Sequence, residues 1–280
     1  MIETIFNFFN QLEQHPEQRF AMLMGGLLFF WIIEGSIPLL QLKYKKNKAK
    51  HAFINLTFTI FHLIIHSILA FGIIKISDWA VTNNFGIVQW LNTGIIAKIV
   101  ISFFVLDFFM GWFVHWVEHK IPVLWRFHIV HHADNNVDAT TGLRHHPMES
   151  LVRGAFIVTG IFLVGAPMYC VMIYQTILIF ATAFTHANIS LPKSLDKALS
   201  YFFVSPNMHK VHHHYKQPFT DSNYGAVLSI WDRFFGTFMH LAPNDIKYGL
   251  DRYYPNSEDE NFISLMSKPF GKMDNRILEE

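Results

Sequence analysis

The chain has a single cysteine, Cys170, in 280 residues. One thiol cannot build an internal disulfide framework, a zinc ribbon or a thiolate cluster, so any bound metal must be held by nitrogen and oxygen. Charge is scarce as well: 15% of the residues are Asp, Glu, Lys or Arg, and the formal net charge is +1. No basic stripe interleaved with aromatics runs along the chain, which excludes nucleic acid as the partner. The sequence also lacks a glycine-rich flavin or nicotinamide fingerprint, a haem-binding extension, an internal repeat and a low-complexity linker. A redox reaction on this chain must therefore draw its electrons from outside.

What the chain has instead is apolar length. Hydrophobic residues make up 51% of it, and 29 residues are phenylalanine. Glu34 is the only charge between Phe20 and Leu42, none falls between Ala52 and Ile74, and only Asp107 falls between Ile99 and Val114. Successive runs of this kind predict membrane-spanning helices of roughly 20 residues rather than the core helices of a soluble domain. The first run follows Glu3, Glu13 and Glu17 and lacks a basic leader and a small-residue cleavage site, so it reads as a retained helix, not a signal peptide. Five lysines in KYKKNKAK (43–50) place that loop on the cytoplasmic side. Residues 76–94 then form the outer loop, and the third span returns to deliver His115 to the cytoplasmic face. The apolar stretch 154–184 is broken at Gly165-Ala166-Pro167, which predicts a hairpin of two short antiparallel helices over about 154–185 and returns His186 to the side of His115. Beyond Leu191 the chain is more polar, and Pro206, Pro218, Pro243 and Pro255 mark loops. The expected fold is an all-α integral membrane bundle with a cytoplasmic helical cap holding a histidine-rich di-metal site. Residues 1–114 form the anchor, 115–240 the catalytic region and 241–280 a cytoplasmic tail.

At the exit of the third span stands HWVEHKIPVLWRFHIVHH (115–132), with five histidines in eighteen positions. His115 and His119 are four residues apart, so on a continuing helix they share a face and reach one metal. FHIVHH adds His128, His131 and His132, whose i, i+3 and i+4 spacings converge again. Some eighty residues later NMHKVHHHY repeats the pattern with His209, His212 and His213, and His214 as an extra. Imidazoles gathered this densely repel one another on protonation and need partners, which opposes a reading as ordinary interfacial polar residues. Eight are more than one ion needs, so the count points to two, and imidazole suits iron, zinc and copper alike.

Together with LRHHPMES (143–150), FTHAN (184–188) and DSNYGAVLSIWDRFFGTF (221–238), these boxes resemble the fatty acid hydroxylase superfamily, the sterol desaturase group of integral-membrane histidine-box enzymes. The resemblance covers roughly residues 100–240. It implies a helical membrane anchor beneath a cytoplasmic cap, a di-iron centre, dioxygen as co-substrate and a lipid substrate that is hydroxylated or desaturated. The missing cofactor fingerprints add the expectation of an external electron donor of ferredoxin or cytochrome type. Carried over residue by residue, the resemblance makes His115, His119, His128, His131, His132, His209, His212 and His213 the ligands and catalytic residues, with His186 completing the metal set. Some members carry a further histidine four residues before His186, where this chain has Thr182. His146 matches a histidine common in the family, either as a ligand or as a brace, and His145 beside it is expected to face solvent. Zinc competes for the same imidazoles in purified samples.

Glu118 is a candidate either to accept an imidazole N–H or to ligate directly. Asp134, Asp138 and Glu149 are candidates for the same two roles, with the abundance of imidazole favouring the first, and Arg144 pairs one of them. Asp232 and Arg233 are expected to form an ion pair anchoring the cap. His62 and His66 fall inside the second span, where an interhelical hydrogen bond or a substrate or proton route would employ them. Trp112, Trp116 and Trp125 fit an interfacial aromatic belt. Two other readings stay open. A zinc-dependent membrane hydrolase with Glu118 as base needs only three or four ligands and leaves the second H-x-x-H-H box unexplained. A metal transporter would place its ligands at the bilayer midplane, where only His62 and His66 lie.

Overall fold

The computed structural model describes residues 2–44, 48–250 and 261–271. Among them the chain is helical throughout, and its only strand-like features are isolated bridges such as Pro38 to Ile189. We number the helices that position the site α1 (Ile2–Gln11), α2 (Pro16–Ser36), α3 (Lys48–Thr82) and α4 (Ile95–Lys120). They are followed by α5 (Pro122–His132), α6 (Pro147–Val164), α7 (Met168–His186) and α8 (Pro206–His212). Among the described residues five segments, formed by α2, α3, α4, α6 and α7, are long and apolar enough to cross a membrane.

The apolar pattern of α3 runs outward. Phe53, Ile60, Ile64, Ile68 and Phe71, spaced by three, four or seven residues, form one exposed stripe, the arrangement of a helix whose solvent on that side is lipid. At 35 residues α3 is about 52 Å long, well beyond a hydrocarbon core of about 30 Å, so it must protrude or tilt. It also overruns the expected outer loop. Residues 76–82 stay helical, and the remainder of 76–94 folds over the turn between α6 and α7. Ser77 Oγ donates to the Ala166 carbonyl at 2.8 Å and Gln89 Nε2 to the Gly165 carbonyl at 2.8 Å, so the segment satisfies carbonyls that the turn would otherwise leave bare.

That turn is the expected hairpin break. Gly165 ends α6 with φ +67°, a left-handed conformation that favours glycine, and Pro167 directly precedes α7. α6 begins earlier than the sequence predicts, at Pro147, which draws Glu149 and Arg153 into it. Leu106, Met110, Ile157, Ile161, Val171 and Tyr174 form the core between α4, α6 and α7.

Two buried aspartates fasten the polar C-terminal half to α4. Asp107 begins a widened, π-helical turn at Asp107–Phe113 and accepts from Tyr174 Oη, Leu228 N and Trp231 Nε1. Asp232 accepts from the backbone N–H groups of Tyr224 and Gly225 and from Trp112 Nε1 and Thr237 Oγ1. The expected Asp232–Arg233 ion pair does not form. Adjacent residues on a short helix point apart, and Arg233 instead donates to the Ser200 carbonyl. Residues 45–47 of the lysine loop, and 251–260 and 272–280 of the tail, lie outside the described residues.

Candidate metal centre

Four helix ends meet on one side of the bundle. The last two turns of α4 carry His115 and His119, α5 carries His128, His131 and His132, α7 ends at His186, and α8 with the residue after it carries His209, His212 and His213. All nine are buried. They sort into two groups. One ring nitrogen from each of His115, His119, His128, His132 and His212 lies within 4.8 Å of the others, and the same holds for His131, His186, His209 and His213.

The H-x-x-H-H spacing explains the sorting. In α5 the i, i+4 pair His128 and His132 joins the first group, while His131 turns to the second. In α8 the assignment is reversed, with His209 and His213 in the second group and His212 in the first. Adjacent histidines project about 100° apart around a helix, so each His-His dipeptide contributes to both groups at once.

The hydrogen bonds fix several tautomers. His115 Nδ1 donates to the Tyr224 carbonyl at 2.8 Å and His128 Nδ1 to Glu149 at 2.9 Å. Both Nε2 atoms are therefore bare lone pairs, yet they face each other at 3.1 Å. In the second group His186 Nδ1 donates to the Thr182 carbonyl, and its bare Nε2 lies 2.9 Å from His209 Nε2 and 3.2 Å from His131 Nε2. Lone pairs this close repel unless a proton or a cation lies between them. Burial opposes the proton. It holds His128, His131, His132, His209 and His213 well below the ordinary imidazole value, with neighbouring imidazoles adding to the effect. Burial likewise takes His212 down to about 4. His119 Nε2, His212 Nε2, His131 Nδ1, His209 Nδ1 and both ring nitrogens of His132 and His213 are buried without a partner. Nine neutral imidazoles converging on two points fit two metal ions.

The surroundings hold the rings in place. His119 Nδ1 meets Asp221 Oδ1 at 3.2 Å, and His212 Nδ1 donates to the Ser222 carbonyl at 2.7 Å. Gly142 leaves room for His186, because a Cβ there would sit 2.8 Å from Thr182 Cγ2 and 3.1 Å from His186 Nδ1. Lys210, pushed down to about 7 by burial, donates to the Thr185 and His186 carbonyls at the end of α7. Glu118 belongs to neither group. Its Oε2 accepts from Arg153 at 2.6 Å, and Arg153 also donates to Glu149 at 3.1 Å, so the carboxylate that holds His128 is itself held. His146 also lies outside both groups and caps α6, its Nδ1 accepting from Met148 N at 3.1 Å. His145, expected in solvent, donates to Glu149 at 2.7 Å and stacks on His131.

Sequence reading passed over Arg153, His51, Lys210 and Asp221. The signal for Arg153 was present, since an arginine entering an apolar run needs an internal partner. His51 bridges Asp134 at 2.9 Å and Asp138 at 3.3 Å, and Arg144 lies 3.4 Å from Asp134, as expected of one of these carboxylates. His62 makes the interhelical bond, to Ser150 Oγ at 3.1 Å.

A cavity of about 560 Å³ opens from the two groups into the bundle. His115, His131, His186 and His209 line one end, and Leu23, Leu63, Ile157, Leu178 and Ile179 line its walls. His62 and His66 face it as well, so an interhelical bond and a place on the cavity wall coexist in His62.

Residues 99–237 match the family model described as fatty acid hydroxylase. An ornithine lipid hydroxylase of Rhizobium tropici is 26% identical over 183 residues, covering 62% of this chain and 51% of that protein. An alkylglycerol monooxygenase of Danio rerio is 32% identical over 152 residues, covering 54% and 32%. A cholesterol 25-hydroxylase-like protein of Danio rerio is 29% identical over 125 residues, covering 44% and 48%. The chain spans about half of the length of these relatives or less. No solved structure matches it. Through residues 99–237, which contain every histidine of both groups, the chain belongs to the fatty acid hydroxylase superfamily. It is a multi-pass membrane protein.

Proposed function

We propose that the chain is a membrane-bound lipid oxygenase that hydroxylates, or desaturates, a C–H bond of a lipid held in the cavity. The observation that carries this reading is the pair of buried imidazole groups whose bare nitrogens face each other at the end of an apolar chamber. His115, His119, His128, His132 and His212 would hold one iron, and His131, His186, His209 and His213 the other. When bound, the irons supply dioxygen activation, with electrons from an external donor of ferredoxin or cytochrome type.

The chain does the rest. The apolar walls take the lipid's hydrocarbon and keep water away, while helix ends packed on Asp107 and Asp232 fix where the reacting carbon meets the centre. Hydroxylation of R–H to R–OH reduces the second oxygen atom to water and consumes a pair of electrons and a pair of protons, so the balance closes only with the external donor. The histidine face is proposed to be cytoplasmic, where such donors dock. Residues 115–240 are proposed as the catalytic region on the anchor 1–114.

A single-zinc hydrolase would leave one of the two imidazole groups unemployed, and a transporter would need its ligands away from the helix ends. The deciding experiment is metal content and dioxygen-dependent lipid oxidation on detergent-purified protein beside His131→Ala. Two irons per chain in the wild type, with loss of metal and of oxidation in the variant, is the expected result. A single zinc with lipid hydrolysis, or full turnover in His131→Ala, would overturn the proposal.

A further inference from the structure

The cavity has a second polar end that the metal chemistry does not use. Away from the histidines it is lined by Glu13, Arg19, His66 and Gln175. Gln175 and His186 both stand on α7, eleven residues apart, so this end lies about 16 Å along the bundle from the metal groups. Among the described residues, Arg19 makes one side-chain hydrogen bond, a long one of 3.3 Å from Nη2 to Gln175 Oε1, and no carboxylate comes within ion-pair distance. A guanidinium carries five N–H donors, and a cation half-buried in a chamber with apolar walls calls for an anion. His66 Nε2 and Glu13 Oε2 are buried beside it without partners. Glu13 is a weak counter-ion, because burial and the nearby Asp78 push its carboxyl up. All of these residues lie outside the segment shared with the superfamily, 99–237, except Gln175.

We propose that Arg19, positioned by Gln175 and flanked by His66, anchors the anionic end of an amphiphilic substrate whose chain runs through the cavity to the histidines. The inference rests on the lipid-oxygenase reading for its chemistry and names the substrate class: a single-chain amphiphile ending in a carboxylate or phosphate. An extended chain advances about 1.2 Å per bond, so the carbon presented to the metal groups lies roughly a dozen bonds from the anion. Neutral lipids of equal chain length fill the walls and leave the guanidinium unpaired, which discriminates against them.

The test is binding without turnover. Hexadecanoate, hexadecyl phosphate and hexadecanol are titrated into full-length, metal-loaded protein in detergent, with neither dioxygen nor reductant. The wild type is expected to bind an anion roughly tenfold more tightly than the alcohol, the scale of a charge-assisted hydrogen bond. Arg19→Met should bind all three alike, Arg19→Lys should keep most of the preference, and Gln175→Leu should lose part of it. Preference for hexadecanoate alone assigns the site to a free carboxylic acid, and for hexadecyl phosphate alone to a phosphate-headed lipid, and both uphold the anchor. Equal binding of all three by the wild type, or a preference that survives in a folded Arg19→Met, overturns it. Intact anion binding with no lipid oxidation would remove the oxygenase reading and leave the anchor standing.

Discussion

The two histidine groups are built from mirrored boxes and are nevertheless unlike. In the group of five, four rings are fixed from behind: His115 and His212 by backbone carbonyls, His119 by Asp221 and His128 by Glu149. In the group of four, among the described residues only His186 has such an anchor, a carbonyl within its own helix. Exposure to the cavity runs the other way, with His131, His186 and His209 lining it against His115 alone. Ring anchoring by a hydrogen-bonded acceptor stiffens a ligand and raises its basicity, and fewer protein ligands leave room for an exogenous one. On the proposed reading the group of five is the held centre, and the group of four faces the substrate.

The comparison breaks most visibly on ligand removal. His209→Ala leaves three imidazoles in the smaller group, and the expected result is loss of one metal ion per chain with lipid oxidation below detection. His132→Ala leaves four in the larger group, so both ions should remain, with binding weakened about 10–100-fold. Metal analysis after chelator dialysis reads both, and equal losses from the two variants would erase the distinction. Next in size is Arg153→Met, which strands Glu118 as a buried unpaired carboxylate and leaves Glu149 only the imidazoles of His128 and His145. A stability loss of about 3–5 kcal/mol is expected, measured as a lower unfolding temperature in detergent, with Arg153→Lys intermediate. Glu149→Gln should act on the group of five alone, weakening its metal about tenfold while the group of four, which no carboxylate touches, keeps its ion.

How much of this the sequence carried depends on the range of the interaction. The histidine boxes were legible because i, i+3 and i+4 spacing is a local property, and the hairpin because Gly165 and Pro167 act on their own backbone. The division into five and four was not, since it depends on how α5 and α8 face each other across the centre. Arg153 is hard to read because Glu118 lies 35 residues away on α4 and because the apolar run that begins just after it hides the helix it shares with Glu149. His145 reads as solvent-facing beside His146, and only the start of α6 at Pro147 turns it back onto Glu149. The outer loop was misjudged for a related reason: residues 76–82 carry enough polar groups to resemble a loop until Ser77 finds the Ala166 carbonyl.

The smallest effect is expected at Lys120, and it sharpens the comparison from the outside. Lys120 Nζ lies 2.7 Å from Asp221 Oδ2, shorter than the 3.2 Å from His119 Nδ1 to Asp221 Oδ1, so distance alone ranks the lysine as the stronger partner. Exposure reverses that ranking. The Lys120 side chain is 41% exposed and the His119 side chain 0%, so water and salt screen the first contact and not the second. Lys120→Ala should therefore change stability by less than about 0.5 kcal/mol and leave both metal ions and oxidation within about twofold of wild type. Asp221→Asn, which weakens the acceptor for His119, should cost metal in the group of five. If the two variants cost the same metal, the lysine's field and not the hydrogen bond would be what holds His119. The anchoring that separates the two groups would then extend to the exposed surface.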